Sequence, residues 1–114
     1  MNNKYYQSLQ AILTSIDNIE NFIGTPKIYE NYESNLQLQQ AVERNLEIIG
    51  EATKRLVDIN PEIQISHTRA IINTRNKIIH GYDEIENVQI WGIILKYLPV
   101  LRTEVSVLLE NNNL

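Results

Sequence analysis

Residues 64–82 read Gln-Ile-Ser-His-Thr-Arg-Ala-Ile-Ile-Asn-Thr-Arg-Asn-Lys-Ile-Ile-His-Gly-Tyr, and both the helical character of the chain and its chemistry can be read outward from them. The stretch holds Arg69, Arg75, Lys77 and both histidines of the chain but no acidic residue, although the protein carries a net charge of −4. Ile71, Ile72, Ile78 and Ile79 fall at helical spacing. Arg75 lies between them on the same face, where a full positive charge is costly to bury unless a carboxylate pairs with it. Arg75 and His80 are five residues apart, so at about 100° per residue an unbroken helix sets them about 140° apart, on different faces. Gly81 is expected to end the helix in a left-handed turn, which leaves His80 in the last turn with Tyr82 just beyond. A helix C-terminus favours a protonated imidazole, suited to phosphate binding or general acid work.

The rest of the chain supplies partners for this helix. Tyr5, Leu9, Ile12, Ile16, Ile19 and Ile23 alternate at four- and three-residue spacing and predict a first helix over residues 3–23, stopped by Gly24 and Pro26. Lys27 to Glu33 reads as a loop whose Tyr29 and Tyr32 fold over a helix end. Ser34-x-x-Gln37 is a candidate capping box for a second helix running to about Val57, with Leu38, Val42, Ile49, Ala52 and Leu56 inward. Gly50 interrupts it at about 1 kcal/mol relative to alanine, a cost better explained by a close helix contact than by a kink. On another face, Arg44, Glu47, Glu51 and Lys54 form either a solvated ladder of ion pairs or a source of the carboxylate, Glu47 or Glu51, that holds Arg75. Ser66 is the candidate N-cap of the third helix. His67 and Arg69, near its start, are surface positions that can add to an RNA-facing patch with Lys77. Asp83 to Glu86 is an acidic loop placed to cap a fourth helix, with Val88, Trp91, Leu95, Leu98, Leu101, Val105 and Leu108 inward and a kink or division near Leu95 to Pro99. The fold class expected is all-α, an antiparallel up-and-down four-helix bundle with its last helix kinked or split at Pro99, in one domain spanning residues 1–114. Helix one is also apolar at Leu13 and Phe22, an excess that a homodimer would cover.

Composition narrows the function. There is no cysteine, hence no disulfide framework or thiolate metal site, and two histidines alone do not make a zinc centre. No apolar run reaches membrane length and no signal-peptide pattern opens the chain, so a cytoplasmic protein without a membrane partner is expected. Net acidity is the wrong sign for a general nucleic-acid binder. Contact with RNA therefore needs a local basic patch or charges from a second subunit. Gly-rich phosphate loops, Gly-x-Ser-x-Gly and carboxylate clusters with metal spacing are absent, and no cofactor or metal is expected.

Arg75, Asn76, His80 and Tyr82 stand in an Arg-x4-His-x-Tyr pattern that resembles the active-site motif of HEPN-domain ribonucleases, in particular the HepT toxin family. Ala41 to Leu56 is similar to that family's second-helix signature, and Trp91 and Leu98-Pro99 to its last helix. The resemblance spans about residues 5 to 110. One departure is the stretch after Pro61, where many members carry a tryptophan and this chain has Gln64-Ile65-Ser66-His67.

The resemblance implies a HEPN-like bundle and the toxin of a prokaryotic, type VII-like toxin–antitoxin pair, a metal-independent ribonuclease acting on tRNA or mRNA. It implies a homodimer, or a higher oligomer, in which two Arg-His motifs line one cleft. It also implies a partner, a minimal nucleotidyltransferase antitoxin of the MntA type, that attaches AMP to Tyr82 and silences the enzyme. In this reading Arg75 stabilises charge on the phosphorane, His80 is general base or acid, and the ribose 2′-hydroxyl is the nucleophile. Asn76 positions the site, with Glu47 or Glu51 in support. Plainer readings remain for each residue: His80 as a helix cap bonding a free carbonyl, Arg75 as a core ion pair, Tyr82 as a packed tyrosine. The competing function is a non-catalytic helical dimer that binds a partner protein or nucleotide. A nucleotidyltransferase in its own right is excluded, because its acidic metal triad and Gly-Ser turn are missing.

Overall fold

The computed structural model describes residues 2–81 and 85–112, with only the backbone of Asn112. Among the described residues there are six helices and no strand: α1 (Asn3–Ile23), α2 (Tyr29–Glu33), α3 (Leu36–Ile59), α4 (Thr68–His80), α5 (Asn87–Lys96) and α6 (Leu98–Asn112). The all-α expectation holds. Two of these go beyond a count of four: the short α2, which was expected as loop, and the second half of the last helix, whose division near Leu95 to Pro99 was expected. Lys27 to Glu33 is not all loop, since Tyr29–Glu33 closes one helical turn, and the last helix is divided at Tyr97. Pro99 sits in the first turn of α6, where a missing N–H removes little.

The first helix begins and ends where its periodicity places it, capped by the Asn2 side chain, which accepts from Tyr5 N. Two other caps differ from expectation. Asn35, not Ser34, opens α3 by accepting from Leu38 N at 3.0 Å, because Ser34 is already engaged in closing α2. His67, not Ser66, stands at the N-cap of α4. Ser66 is drawn away by Glu104 of α6, whose carboxylate accepts from the Ser66 backbone N–H at 2.9 Å and from its hydroxyl at 2.7 Å. The segment that departs from the family's tryptophan pattern is thus anchored by this clamp and by Ile63 and Ile65, both buried. Glu86 caps α5 as the acidic loop suggested, its N–H donating to the Gln89 side chain at 2.8 Å.

The core runs between α1, α3, α4 and α6, with α3 packed on both α1 and α4 and α6 packed on α1 and α5. Leu9, Ile12, Ile16 and Ile19 of α1 meet Val42, Ile49 and Leu56 of α3, all fully buried. Polar crosslinks fix the register. Asn18 donates to Asn45 at 3.1 Å, Arg55 donates to Ser8 at 3.1 Å, and Arg102 of α6 pairs with Asp17 of α1. Tyr32 and Tyr29 pack their rings on Trp91 at 5.6 and 5.7 Å, so the tyrosine segment covers α5 rather than a helix end. Burial raises the phenol of Tyr32 well above its ordinary pKa.

Trp91 also explains an error in the expected inward stripe. Val88 and Leu95 are 57% and 47% exposed, whereas Ile90, Trp91 and Ile94 are buried and lead into Leu98, Leu101 and Val105. Residues 90–95 are apolar almost all round, so spacing cannot set the rotation of α5. The packing of Trp91 against two tyrosines, edge-on to Tyr29 and tilted to Tyr32, does.

At the α3–α4 crossing, Gly50 admits the neighbouring helix. A methyl group built on Gly50 would overlap the Arg75 Cβ, lie 2.8 Å from its Cγ and 3.4 Å from the Ile71 carbonyl oxygen. The glycine is therefore a close contact, and the stem of Arg75 fills the notch.

Two measurements check this packing. Leu98→Ala should cost about 2–5 kcal/mol in urea unfolding, while Leu95→Ala should stay within about 1 kcal/mol. Gly50→Ala, which would gain about 1 kcal/mol in an open helix, should instead lower stability by about 1–3 kcal/mol, because two helices must part to admit the methyl group.

Candidate active site

Arg75 and His80 share α4 but occupy different surroundings. Arg75 is turned toward α3, its stem in the Gly50 notch and its side chain 26% exposed. Its Nη1 donates to the Asn76 Oδ1 at 3.0 Å. Its Nη2 lies 3.6 Å from Glu51 Oε1, an ion pair too long for a hydrogen bond. Nε is buried and has no hydrogen-bond partner among the described residues. A guanidinium carries five N–H donors in a planar fork. Here the fork is steered by one carboxylate and one amide without being saturated by them, which suits a group that must still bind an anionic oxygen.

Of the two candidate carboxylates, the structure brings Glu51 to Arg75 and leaves Glu47 with Arg44, at 3.1 Å within the same helix. Lys54 turns to Asp58 at 3.1 Å. The charged face of α3 is therefore part ladder and part support for the arginine. Beside it, Arg75, Glu51, Lys54, Arg55 and Asp58 line an open groove of about 320 Å³. The exposed and half-exposed pairs here contribute about 0–1 kcal/mol each and serve mainly to orient side chains.

His80 is the last residue of α4 and is exposed. Its ring makes no hydrogen bond to a described residue, so a capping role for its side chain finds no support in the geometry. The cap is the Gly81 backbone N–H, which donates to the Lys77 carbonyl at 3.3 Å. Gly81 has φ 148° and ψ 152°, an extended conformation at positive φ open almost only to glycine, rather than the left-handed turn expected. Tyr82 lies outside the described residues, as do Asp83 and Glu84.

The other basic residues of the stretch take separate positions. Arg69 and Lys77 are exposed. His67 is exposed and adopts φ 61°, ψ 27°, the left-handed region that few non-glycine residues enter. Its ring stacks on Tyr97 at 4.7 Å and 19°. Sequence reading assigned no part to Tyr97 or to the neighbouring Lys96. A basic–aromatic pair at a helix break was the available signal. No group of three or more His, Asp or Glu able to hold a metal ion occurs among the described residues, and no described helix is long and apolar enough to cross a membrane.

Comparison with known proteins identifies the family. A family model described as ribonuclease HepT-like matches residues 12–108. The chain is 32% identical over 107 residues to a protein of Thermococcus cleftensis named "Probable ribonuclease HepT", covering 90% of this chain and 93% of the relative. It is 29% identical over 104 residues to "Putative RNase MJ1216" of Methanocaldococcus jannaschii, covering 90% and 85%. With "Putative RNase TTE0752" of Caldanaerobacter subterraneus it shares 35% identity over 86 residues, covering 72% and 74%. No solved structure matches. With its family model spanning most of the chain and relatives matched over most of their own length, this protein belongs to the HepT-like ribonuclease family.

Proposed function

We propose that this chain is a metal-independent RNA endonuclease, the toxin of a type VII-like toxin–antitoxin pair, with Arg75 and His80 as its catalytic residues. The observation that carries the reading is the state of the Arg75 fork, held by Glu51 and Asn76 yet with donors left over, on the same short helix as an exposed His80 whose ring bonds no described residue. Family membership supplies the reaction class.

The chemistry needs only these groups and the substrate. A base takes the proton of the ribose 2′-hydroxyl, whose oxygen attacks the adjacent phosphorus. The P–O5′ bond breaks, the 5′-oxygen takes a proton from an acid, and a 2′,3′-cyclic phosphate remains. Imidazole serves as base when neutral and as acid when protonated. Arg75 donates to the non-bridging oxygens as charge accumulates on them. Asn76 fixes the guanidinium from one side and Glu51 from the other.

One histidine serves poorly as base and acid in the same turnover. A homodimer resolves this by placing two copies of α4 about one cleft, which also doubles the local positive charge of an acidic chain. In this reading the helices form a HEPN-like up-and-down bundle with α1, α3, α4 and the α5–α6 pair as its four legs, in a single cytoplasmic domain. The antitoxin is an MntA-type nucleotidyltransferase that attaches AMP to Tyr82, two residues past His80, where added bulk and negative charge would block substrate phosphate.

The test is cleavage of a tRNA and mRNA panel in excess chelator. Unmodified protein should cut and leave cyclic phosphate ends. His80→Ala should lose about 10²–10⁴-fold in rate, and Arg75→Lys, which keeps the charge but not the fork, about 10²-fold or more. Helicity and dimer mass should be unchanged in both. Activity lost on adding chelator, or full activity in His80→Ala, would overturn the mechanism.

A further inference from the structure

On the flank of α4 away from Arg75, a second groove of about 400 Å³ runs between α4 and α5. It is lined in part by Asn73 and Lys77 of α4, Gln89, Gly92 and Lys96 of α5, and Tyr97 at the helix break. Among the described residues, Lys77 and Lys96 are its only charged lining residues, in a chain of net charge −4. Neither lysine has an ion-pair partner among the described residues, whereas Lys27 and Lys54 both do. The groove thus presents two ammonium groups, one from each helix, that no described carboxylate pairs with, flanked by the amides of Asn73 and Gln89.

At one end stands the His67–Tyr97 ring pair. His67 reaches Tyr97 only because its backbone is held at positive φ, a conformation that costs on the order of 1 kcal/mol or more. The double hydrogen bond from Ser66 to Glu104 holds the preceding residue in place. Along α4, Asn73, Lys77 and His80 follow at four- and three-residue intervals and share one flank, so the line of the groove continues toward His80. The floor is open at Gly92, where an added Cβ would meet no atom within 4 Å.

We infer that this α4–α5 groove is a binding track for single-stranded RNA. Lys77 and Lys96 contact successive phosphates, an unpaired base stacks on the pair formed by exposed His67 and half-buried Tyr97, and the strand is led along α4 to His80. Stacking on an aromatic platform requires a base free of its partner strand. The inference rests on the ribonuclease reading for its biological meaning, but binding can be measured without cleavage.

The experiment uses full-length His80→Ala protein, so that the probe stays intact, with a fluorescein-labelled oligoadenylate read by fluorescence anisotropy. Adding Lys96→Gln should weaken binding about tenfold and reduce the salt dependence of log K by about 0.7, one phosphate contact on a single strand. Tyr97→Leu should also weaken it about tenfold, while Tyr97→Phe, which keeps the stack, should bind like the parent. Gly92→Gln fills the groove but favours the helix, so it should bind at least about tenfold more weakly while melting no lower than the parent. Lys4→Gln, the same charge change at the exposed start of α1, should bind as the parent does.

Parental affinity in Lys96→Gln, Tyr97→Leu and Gly92→Gln together would overturn the proposal. So would tighter binding of the duplex than of the single strand. If unmodified protein cleaved no RNA yet these variants lost oligoadenylate binding, the groove assignment would stand and the ribonuclease reading would fall. If it cleaved RNA and the variants both bound and cleaved normally, the reverse would hold.

Discussion

The approach of α4 to α3 at Gly50 is the constraint on which the rest of the site depends. Two helices carrying ordinary side chains pack 8–10 Å apart. Here the missing side chain of Gly50 lets the Arg75 stem lie directly against the α3 backbone. That seat removes much of the rotamer freedom of a long side chain and delivers its guanidinium to Glu51, one residue along α3. An exposed arginine would have to be ordered by its substrate at each turnover. This one is ordered by the fold, and the cost of half-burying its charge is offset by Glu51 and Asn76.

A single thirteen-residue helix thus presents three kinds of surface. One flank, at Ile71 and Thr74, is buried in the core. Another holds Arg75 over α3. A third carries the exposed Asn73, Lys77 and His80. The helix ends abruptly at Gly81, whose backbone angles only glycine adopts readily, and this leaves His80 with its ring in solvent. In the proposed mechanism that separation is useful, because the group that stabilises phosphate must be rigid while the group that moves protons needs access to solvent and to a second subunit.

The remaining helices hold α4 in this attitude. Ser66 and Glu104 tie its entry to α6, Arg102 and Asp17 tie α6 to α1, and Asn18 and Asn45 set the register of α1 on α3. Trp91, under Tyr29 and Tyr32, fixes the rotation of α5 and so decides which of its residues face α4. Lys96 and Tyr97 reach the α4 flank as a consequence of aromatic packing on the opposite side of their own helix.

Much of this was legible in the chain itself. Periodicity located α1 and the body of α3 and α4, because a helix that buries one face must repeat its apolar residues every three or four positions, and Pro99 located the break in the last helix. Gly50 pointed to a close contact rather than a kink, as the Arg75 stem in its notch bears out. The clustering of Arg75, His80 and Lys77 in an acid-free stretch marked the candidate site. Tertiary structure decided what local spacing leaves degenerate. It chose Glu51 over Glu47 for Arg75, because both carboxylates lie on one face of α3 and only the height of the α3–α4 crossing separates them. It turned α5 toward Ile90 and Ile94 rather than Val88 and Leu95, because a segment apolar all round has no preferred face until a partner arrives. It moved the caps to Asn35 and His67, because Ser34 was already closing α2 and Ser66 had a better acceptor in Glu104, thirty-eight residues away. Periodicity is a property of one helix, and each of these choices was made between two.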